Sequence, residues 1–137
     1  MNNRLLKSGL AAGVALFVMG FLIWGFALAG FFEAHVGSAT GVMKDPPDFL
    51  FIVLASLLQG IFLALVLGWK GVASAGDGMK AGAMLGVLMA LGLNTLFFGT
   101  TNLMDMTGSL VDALMVGVQW GIAGAAVGMV SGSSTDA

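Results

Sequence analysis

The stretch "MKAGAMLGVLMALGLNTLFFG", residues 79–99, decides what kind of protein this chain forms. It is almost entirely apolar, and its only charged residue, Lys80, stands at its beginning. Because about 20 mainly apolar residues are enough to cross a bilayer as a helix, the stretch predicts a transmembrane span. Asn94 needs an explanation, since its amide stands where an apolar side chain is expected.

Three more windows have the same character. They cover residues 10–32, 49–69 and 110–130, and no charged residue lies deep in any of the four windows. The connecting segments are short and hold seven of the twelve charged residues and both prolines. We therefore predict an all-α fold, in which residues 1–137 form a single transmembrane domain built as a four-helix bundle.

The composition excludes several other classes of protein. Hydrophobic residues make up 58% of the chain and charged residues 9%, against about 25% charged residues in an average soluble domain. A soluble domain of this length needs a charged exterior, so lipid has to cover the apolar surface. The five basic residues form no patch for nucleic acid, and without cysteine the chain has no disulfides or thiolate metal sites.

The first span has an alternative interpretation. "MNNRLLK", the following apolar stretch and "ALAG" together resemble a signal peptide that is cleaved after Ala29. The apolar stretch is about 20 residues long, whereas the core of a signal peptide has about 7 to 15. We therefore keep residues 10–32 as a span, with the signal peptide as the alternative.

The basic residues predict the orientation of the bundle. They favour the cytoplasmic side of a membrane when they lie near the ends of spans. Four fall on one side of the predicted bundle and one, Lys44, on the other; the four are Arg4, Lys7, Lys70 and Lys80. Both termini are therefore predicted to be cytoplasmic.

Three helix starts carry capping signals. Asp45 is predicted to cap the second helix, with Pro46 and Pro47 in its first turn, where no N–H is needed. Asp77 is predicted to cap the third helix. In the fourth helix "SLVD" has the spacing of a capping box, which gives the Asp112 carboxylate a structural explanation.

Small residues recur mostly four positions apart in three of the spans, and such rows allow helices to approach closely in lipid. Glycine in a water-exposed helix costs about 1 kcal/mol relative to alanine, yet the chain contains 22 glycines. The pattern predicts tightly packed helices. The rows are Ser56, Gly60, Ala64 and Gly68; Gly78, Gly82, Gly86 and Ala90; and Gly117, Gly121, Gly124, Gly128 and Gly132.

Asn94 continues the second of these rows, so its side chain is predicted to face a neighbouring helix. Gln59 and Gln119, near the middle of their spans, are its predicted partners in a polar cluster that packs the helices together. Contact with a substrate is the alternative. None of the three side chains ionises, which argues against a proton-coupled carrier.

A second group of polar residues is predicted on the outer face, where a metal or a cationic ligand could use imidazole and carboxylate groups. Its spacing is not that of a known metal motif, so no metal site is predicted, and solvated loop charges are the preferred explanation of the group. The identity of any cofactor stays open, including a pigment or quinone near Trp24 or Trp120. The group comprises Glu33, His35, Asn102, Asp105 and Asp112.

Three motifs together resemble those of a broad bacterial family of small four-helix membrane proteins with no established function. They are "FLIWGFALAG" in the first span, "GAMLGVLMALGLNTLFFG" in the third and "GVQWGIAGAAVG" in the last. The resemblance implies four spans and a bacterial inner membrane, and it transfers no catalytic residue.

The sequence contains no evident nucleophile–base pair or metal motif, so we do not expect an enzyme. We expect a non-enzymatic membrane protein, surrounded by the lipid bilayer, that acts as an accessory or scaffolding subunit of a larger membrane assembly or as a homo-oligomer. The alternative is a small transporter or channel with a polar lining from Gln59, Asn94 and Gln119.

Overall fold

A computed structural model describes residues 2–135. The helices are α1 (Asn3–Gly20), a π-helical segment (Phe21–Ala27), α2 (Ala29–Ala34), α3 (Phe49–Trp69), α4 (Ala75–Thr100) and α5 (Met106–Thr135). Four segments are long and apolar enough to cross a membrane: Asn3–Ala27, Phe49–Trp69, Ala75–Thr100 and Met106–Ser133. The predicted all-α fold with four candidate spans is confirmed. The side of the membrane on which the termini lie stays a prediction.

Helix α5 is the centre of the bundle. It packs against α4 along most of its length and against α1 on another face, while α3 packs mainly on α1 and touches α4 very little. The buried core joins all four long helices through residues such as Leu16, Leu63, Ala81 and Trp120. One broad side of α3 is therefore left without a protein neighbour.

Glycines allow the closest helix approaches. A Cβ atom added to Gly78 would overlap with the carbonyl oxygen of Gly124, so the backbones of α4 and α5 touch at this point. A Cβ on Gly60 of α3 would lie 2.7 Å from the Cα of Gly13 in α1. At Gly68, the last member of the row in α3, nothing lies within 4 Å of such an atom, so close approach is confined to particular positions in the rows.

The first span differs from its predicted bounds. Helix α1 begins at Asn3, where Asn2 Oδ1 accepts a hydrogen bond from Leu5 N at 2.8 Å. The span ends at Ala27, because the helix breaks at Leu28 before the short helix α2. The sequence window of residues 10–32 began too late because it excluded Arg4 and Lys7, whose long side chains lie on the first turns of α1.

The predicted cap of α3 is wrong. The helix begins at Phe49 after Asp48, which makes no side-chain capping bond, and Asp45 lies in the preceding loop. Proline disfavours the α conformation in the residue before it, so Pro47 keeps Pro46 out of a helical turn. The helix therefore starts only after the two prolines.

Helix α4 begins four residues before the predicted start at Met79. Ser74 is its cap, since Ser74 Oγ accepts a hydrogen bond from Asp77 N at 3.2 Å and donates one to Asp77 Oδ2 at 3.0 Å. Asp77 is therefore the partner of the cap, and its prediction as the cap itself is wrong. The carboxylate in the first turn also faces the positive end of the helix dipole.

The capping box predicted for α5 is also wrong. Asp105 performs the capping role, because its Oδ1 accepts a hydrogen bond from Gly108 N at 2.7 Å and its carbonyl oxygen accepts one from Ser109 N at 3.0 Å. The helix starts at Met106, so Asp112 lies in its second turn, where no free backbone N–H is left to cap. The Asp112 carboxylate is thus available for contacts with other helices.

Candidate functional site

The carboxylate of Asp112 joins three of the four spans. Its Oδ1 accepts a hydrogen bond from Trp24 Nε1 at 2.9 Å, and its Oδ2 accepts one from Asn94 Nδ2 at 2.7 Å. The same Asn94 nitrogen lies 2.9 Å from the carbonyl oxygen of Ser109, to which it also donates. We call these four residues, Trp24, Asn94, Ser109 and Asp112, the Asp112 cluster.

The π-helical segment presents Trp24 to this cluster. Its wider winding is visible in the hydrogen bond from Leu28 N to Ile23 O at 2.8 Å, which spans five residues. This winding changes the direction of successive side chains, and the indole N–H of Trp24 points at α5. The Trp24 ring stacks on Phe32, with 6.3 Å between the ring centroids and 29° between the planes.

Asp112 lies inside a candidate span, about 9 Å from the start of α5 at the usual rise per residue. An ionisable side chain at such a position is a functional candidate by default. Here each carboxylate oxygen already has an N–H donor, and the donors come from two other helices. This arrangement connects helices.

The predicted cluster of Gln59, Asn94 and Gln119 does not form. Asn94 does bond to a neighbouring helix, but its partners are Ser109 and Asp112. Gln119 Nε2 donates to the carbonyl oxygen of Leu16 in α1 at 2.8 Å. Gln59 is exposed on the surface of α3. The prediction failed because apolar patterns give the depth of a residue in the membrane but not the rotation of each helix about its axis.

A second polar contact lies at the N-terminal end of α5. His35 Nδ1 is 2.9 Å from Asp105 Oδ2, and the two side chains are 28% and 46% exposed. The hydrogen bond from Gly108 N is the main cause that lowers the pKa of Asp105 below its ordinary value of 3.8, and the contact with His35 is the second cause. Backbone bonds reinforce the contact, since Asp105 N donates to the carbonyl oxygen of His35 at 3.0 Å. The loop after α2 is thus fastened to the first turn of α5.

The predicted outer-face group is only partly brought together. His35 and Asp105 pair, whereas Asp112 lies two turns further along α5, about 10 Å away along the axis. Glu33 and Asn102 are exposed, and it is the backbone carbonyl of Asn102 that binds the loop, by accepting from Ala39 N at 2.9 Å. Within residues 2–135, no three His, Asp or Glu side chains are grouped closely enough to hold a metal ion.

No family model, curated protein or solved structure matches the chain significantly. The resemblance to small bacterial four-helix proteins therefore stays an expectation, and a proposal about function has to rest on the geometry of the protein.

The space beside Asn94 is small. Two shallow cavities lie between α4 and α5, with volumes of about 50 and 70 Å³, and Asn94 and Ser109 line both of them. Pockets that enclose a small-molecule ligand usually measure about 300 to 1,000 Å³. The remaining lining is mostly apolar, including Phe98, so these cavities suit helix packing better than substrate binding.

Sequence reasoning missed the bond between Trp24 and Asp112, which are 88 positions apart in the chain. The sequence contained one indication of this bond, namely the depth of the two residues in their spans. Trp24 lies close to the C-terminal end of its span and Asp112 close to the N-terminal end of another, so the two residues have similar depths. An indole N–H and a carboxylate at one depth are natural partners, because each is costly to leave unpaired in lipid.

Proposed function

We propose that this chain is a non-enzymatic, multi-pass membrane protein that functions by lateral association within the bilayer, as an accessory or scaffolding subunit or as a homo-oligomer. One observation carries the proposal: Gln59 is exposed at the centre of a span. It is the middle residue of α3, which has 21 residues, and its side chain faces away from the bundle core.

The position of Gln59 leaves its side-chain amide without hydrogen-bond partners inside the bundle. The helix places it about 15 Å from either end of the span, where the bilayer contains no water. Its amide has two N–H donors and an oxygen acceptor, and within residues 2–135 no protein group bonds to them. An unsatisfied polar group in hydrocarbon costs several kcal/mol. A polar group from another chain in the membrane removes this cost.

Two other side-chain amides of the spans have hydrogen-bond partners within the chain. Asn94 is bonded to Asp112 and Ser109, and Gln119 is bonded to Leu16. The three amides point towards different surfaces, so they provide little support for a transporter or channel with a shared polar lining. Because α3 touches α4 very little, there is room beside Gln59 for a helix from outside the chain.

The environment of α3 fits the same proposal. Its face towards α1 is buried at positions such as Gly60 and Leu63, whereas Phe51 and Leu58 on its other side are 63% and 68% exposed. Helices in lipid associate through packing and interhelical hydrogen bonds, and Gln59 supplies a bond at the centre of an apolar face. The proposal includes cytoplasmic termini and a bacterial inner membrane, which rest on the basic residues and on the family resemblance.

The test compares the wild type with Gln59→Leu after extraction from native membranes in a mild detergent. We expect the wild type to migrate as a complex larger than one chain, and Gln59→Leu to dissociate to a folded monomer at protein concentrations at which the wild type stays in the complex. Thr95→Ala, an exposed position on α4, is the control and should leave the complex intact. A wild type that is monomeric at every protein concentration, or a Gln59→Leu variant that dissociates no more than the wild type, contradicts the proposal.

A further inference from the structure

We infer that the partner of Gln59 is the Gln59 of a second copy of this chain, in a parallel α3–α3 contact. This inference rests on the proposed function, since it names the partner for the same surface. It starts from the spacing of residues on α3. Five residues of this helix lie three and four positions apart in alternation: Ile52, Ala55, Gln59, Phe62 and Val66. We call them the Gln59 row.

The Gln59 row has the spacing of a seam between two parallel helices. Alternation of three and four residues keeps one stripe of a helix facing its partner when the two helices wind around each other. Four of the five members of the row are exposed, and Val66 is half-buried. Ala55, one turn from Gln59, is small and allows close approach of the two backbones. The row is thus accessible and suitably shaped for a second helix.

The row is also held in place by the bundle. The ring of Phe62 meets that of Trp120 in α5 edge to face, with centroids 6.2 Å apart. Trp120 in turn is buried against Gly86 of α4. The rotation of α3 about its axis is therefore fixed by the core, and Gln59 is directed outwards without the need for any rearrangement on association.

Membrane topology makes the contact symmetric. The bias of basic residues towards one side of the bundle predicts one orientation for all copies, so α3 helices from two copies run parallel and place identical residues at the same depth. Gln59 therefore meets its own counterpart about a two-fold axis normal to the membrane. The amide both donates and accepts, so two copies can form a reciprocal pair. A different partner would have to carry a polar group at this same depth.

Charge does not oppose the contact. The segment Phe49–Trp69 contains no charged residue, so two α3 helices can lie side by side through the whole span without like-charge repulsion. Above and below Gln59 the row is apolar. One polar pair in an otherwise apolar seam fixes the register and the number of helices, as a single buried amide does in coiled coils.

The chain lacks cysteine, so single cysteines report the contact directly. Ala55→Cys places a thiol in the Gln59 row, and Leu88→Cys places one at a 62% exposed position in the middle of α4. A disulfide forms only when the two Cβ atoms come within about 3.5 to 4.5 Å. On mild oxidation in native membranes, we expect a dimer of Ala55→Cys and no dimer of Leu88→Cys.

A second variant tests the amide. Adding Gln59→Leu to Ala55→Cys should weaken association about 3- to 20-fold, the effect of one interhelical bond in a membrane, and should lower the dimer yield. Gln59→Asn, which keeps the amide, should retain more of the dimer than Gln59→Leu. Equal dimer yields for Gln59→Leu and the parent variant would overturn the role of the amide.

A photoreactive maleimide on the thiol of Ala55→Cys separates failure of this inference from failure of the proposed function. An adduct of twice the mass of the chain supports the second copy. An adduct with a different membrane protein, and no dimer, overturns the inference but leaves the proposed lateral association standing. The absence of any protein adduct, with labelling by lipid only, overturns both.

Discussion

The Asp112 cluster provides a quantitative prediction about what holds the spans together. Asn94→Ala removes the bond to the Asp112 carboxylate at 2.7 Å and the bond to the Ser109 carbonyl at 2.9 Å. A bond to a charged group contributes about 1.5 to 3 kcal/mol in soluble proteins, whereas interhelical bonds in membranes average about 0.6 and reach about 1.7. We therefore expect Asn94→Ala to lower the free energy of unfolding by about 2 kcal/mol.

A double-mutant cycle isolates the contact itself. The variants are Asn94→Ala, Asp112→Ala and the double variant, unfolded by titration of mixed micelles with a denaturing detergent and followed by circular dichroism. We expect a coupling energy of about 1 to 2 kcal/mol, since the pair shares a short hydrogen bond. The neighbouring exposed Thr95→Ala is the control and should change stability by less than about 0.5 kcal/mol.

Two results would refute this reasoning. A coupling energy below about 0.5 kcal/mol would mean that Asn94 and Asp112 do not depend on each other in the folded protein. Loss of a biological activity by Asn94→Ala with unchanged stability would assign the side chain to a ligand, because a contact that only joins helices has no other way to affect function.

The remaining predictions concern packing, pH and topology. Gly124→Ala should lower the free energy of unfolding in detergent by about 1 to 3 kcal/mol, because its Cβ would overlap with the Gly78 carbonyl. Gly92→Ala, with nothing within 4 Å of the added Cβ, should be neutral, and equal effects of the two variants would contradict the close contact between α4 and α5. The pKa of Asp105 is lowered on folding, so its stabilising contribution is present above its ordinary pKa of 3.8 and is lost as pH falls below that value; the protection of the Gly108 amide against hydrogen exchange, relative to its intrinsic exchange rate at each pH, should decrease there, and unchanged protection would contradict the cap. An impermeant thiol reagent should label Ser38→Cys in intact cells and Ser133→Cys only after permeabilisation, and the reverse pattern would invert the predicted topology.

The sequence was sufficient for the four spans because hydropathy is a local property. A helix of apolar residues has to be covered by lipid or by another apolar helix, and this requirement does not depend on the rest of the chain. The ends of the spans were less predictable. Ser74 and Asp105 cap helices several residues outside the apolar windows, and Arg4 lies on a helix that hydropathy alone began later.

The contacts between spans were not predictable in the same way, because they depend on helix rotation. The Trp24–Asp112 bond requires the π-helical segment, for which no local sequence signal was identified. The direction of Gln59 was partly accessible. At 3.6 residues per turn, Gln59 lies about 100° around the helix from Gly60, which faces α1. The glycine row therefore already placed Gln59 on a different side of α3 from the helix neighbour.

The central claim is that the chain associates laterally through Gln59, and the number of chains in one patch of native membrane tests it most directly. Polymer-extracted nanodiscs preserve the surrounding lipid, and their protein mass can be measured by native mass spectrometry. We predict that wild-type particles contain this chain with at least one further protein chain, and that a larger share of Gln59→Leu particles contain a single chain. Wild-type particles that contain one chain and no other protein would contradict the account.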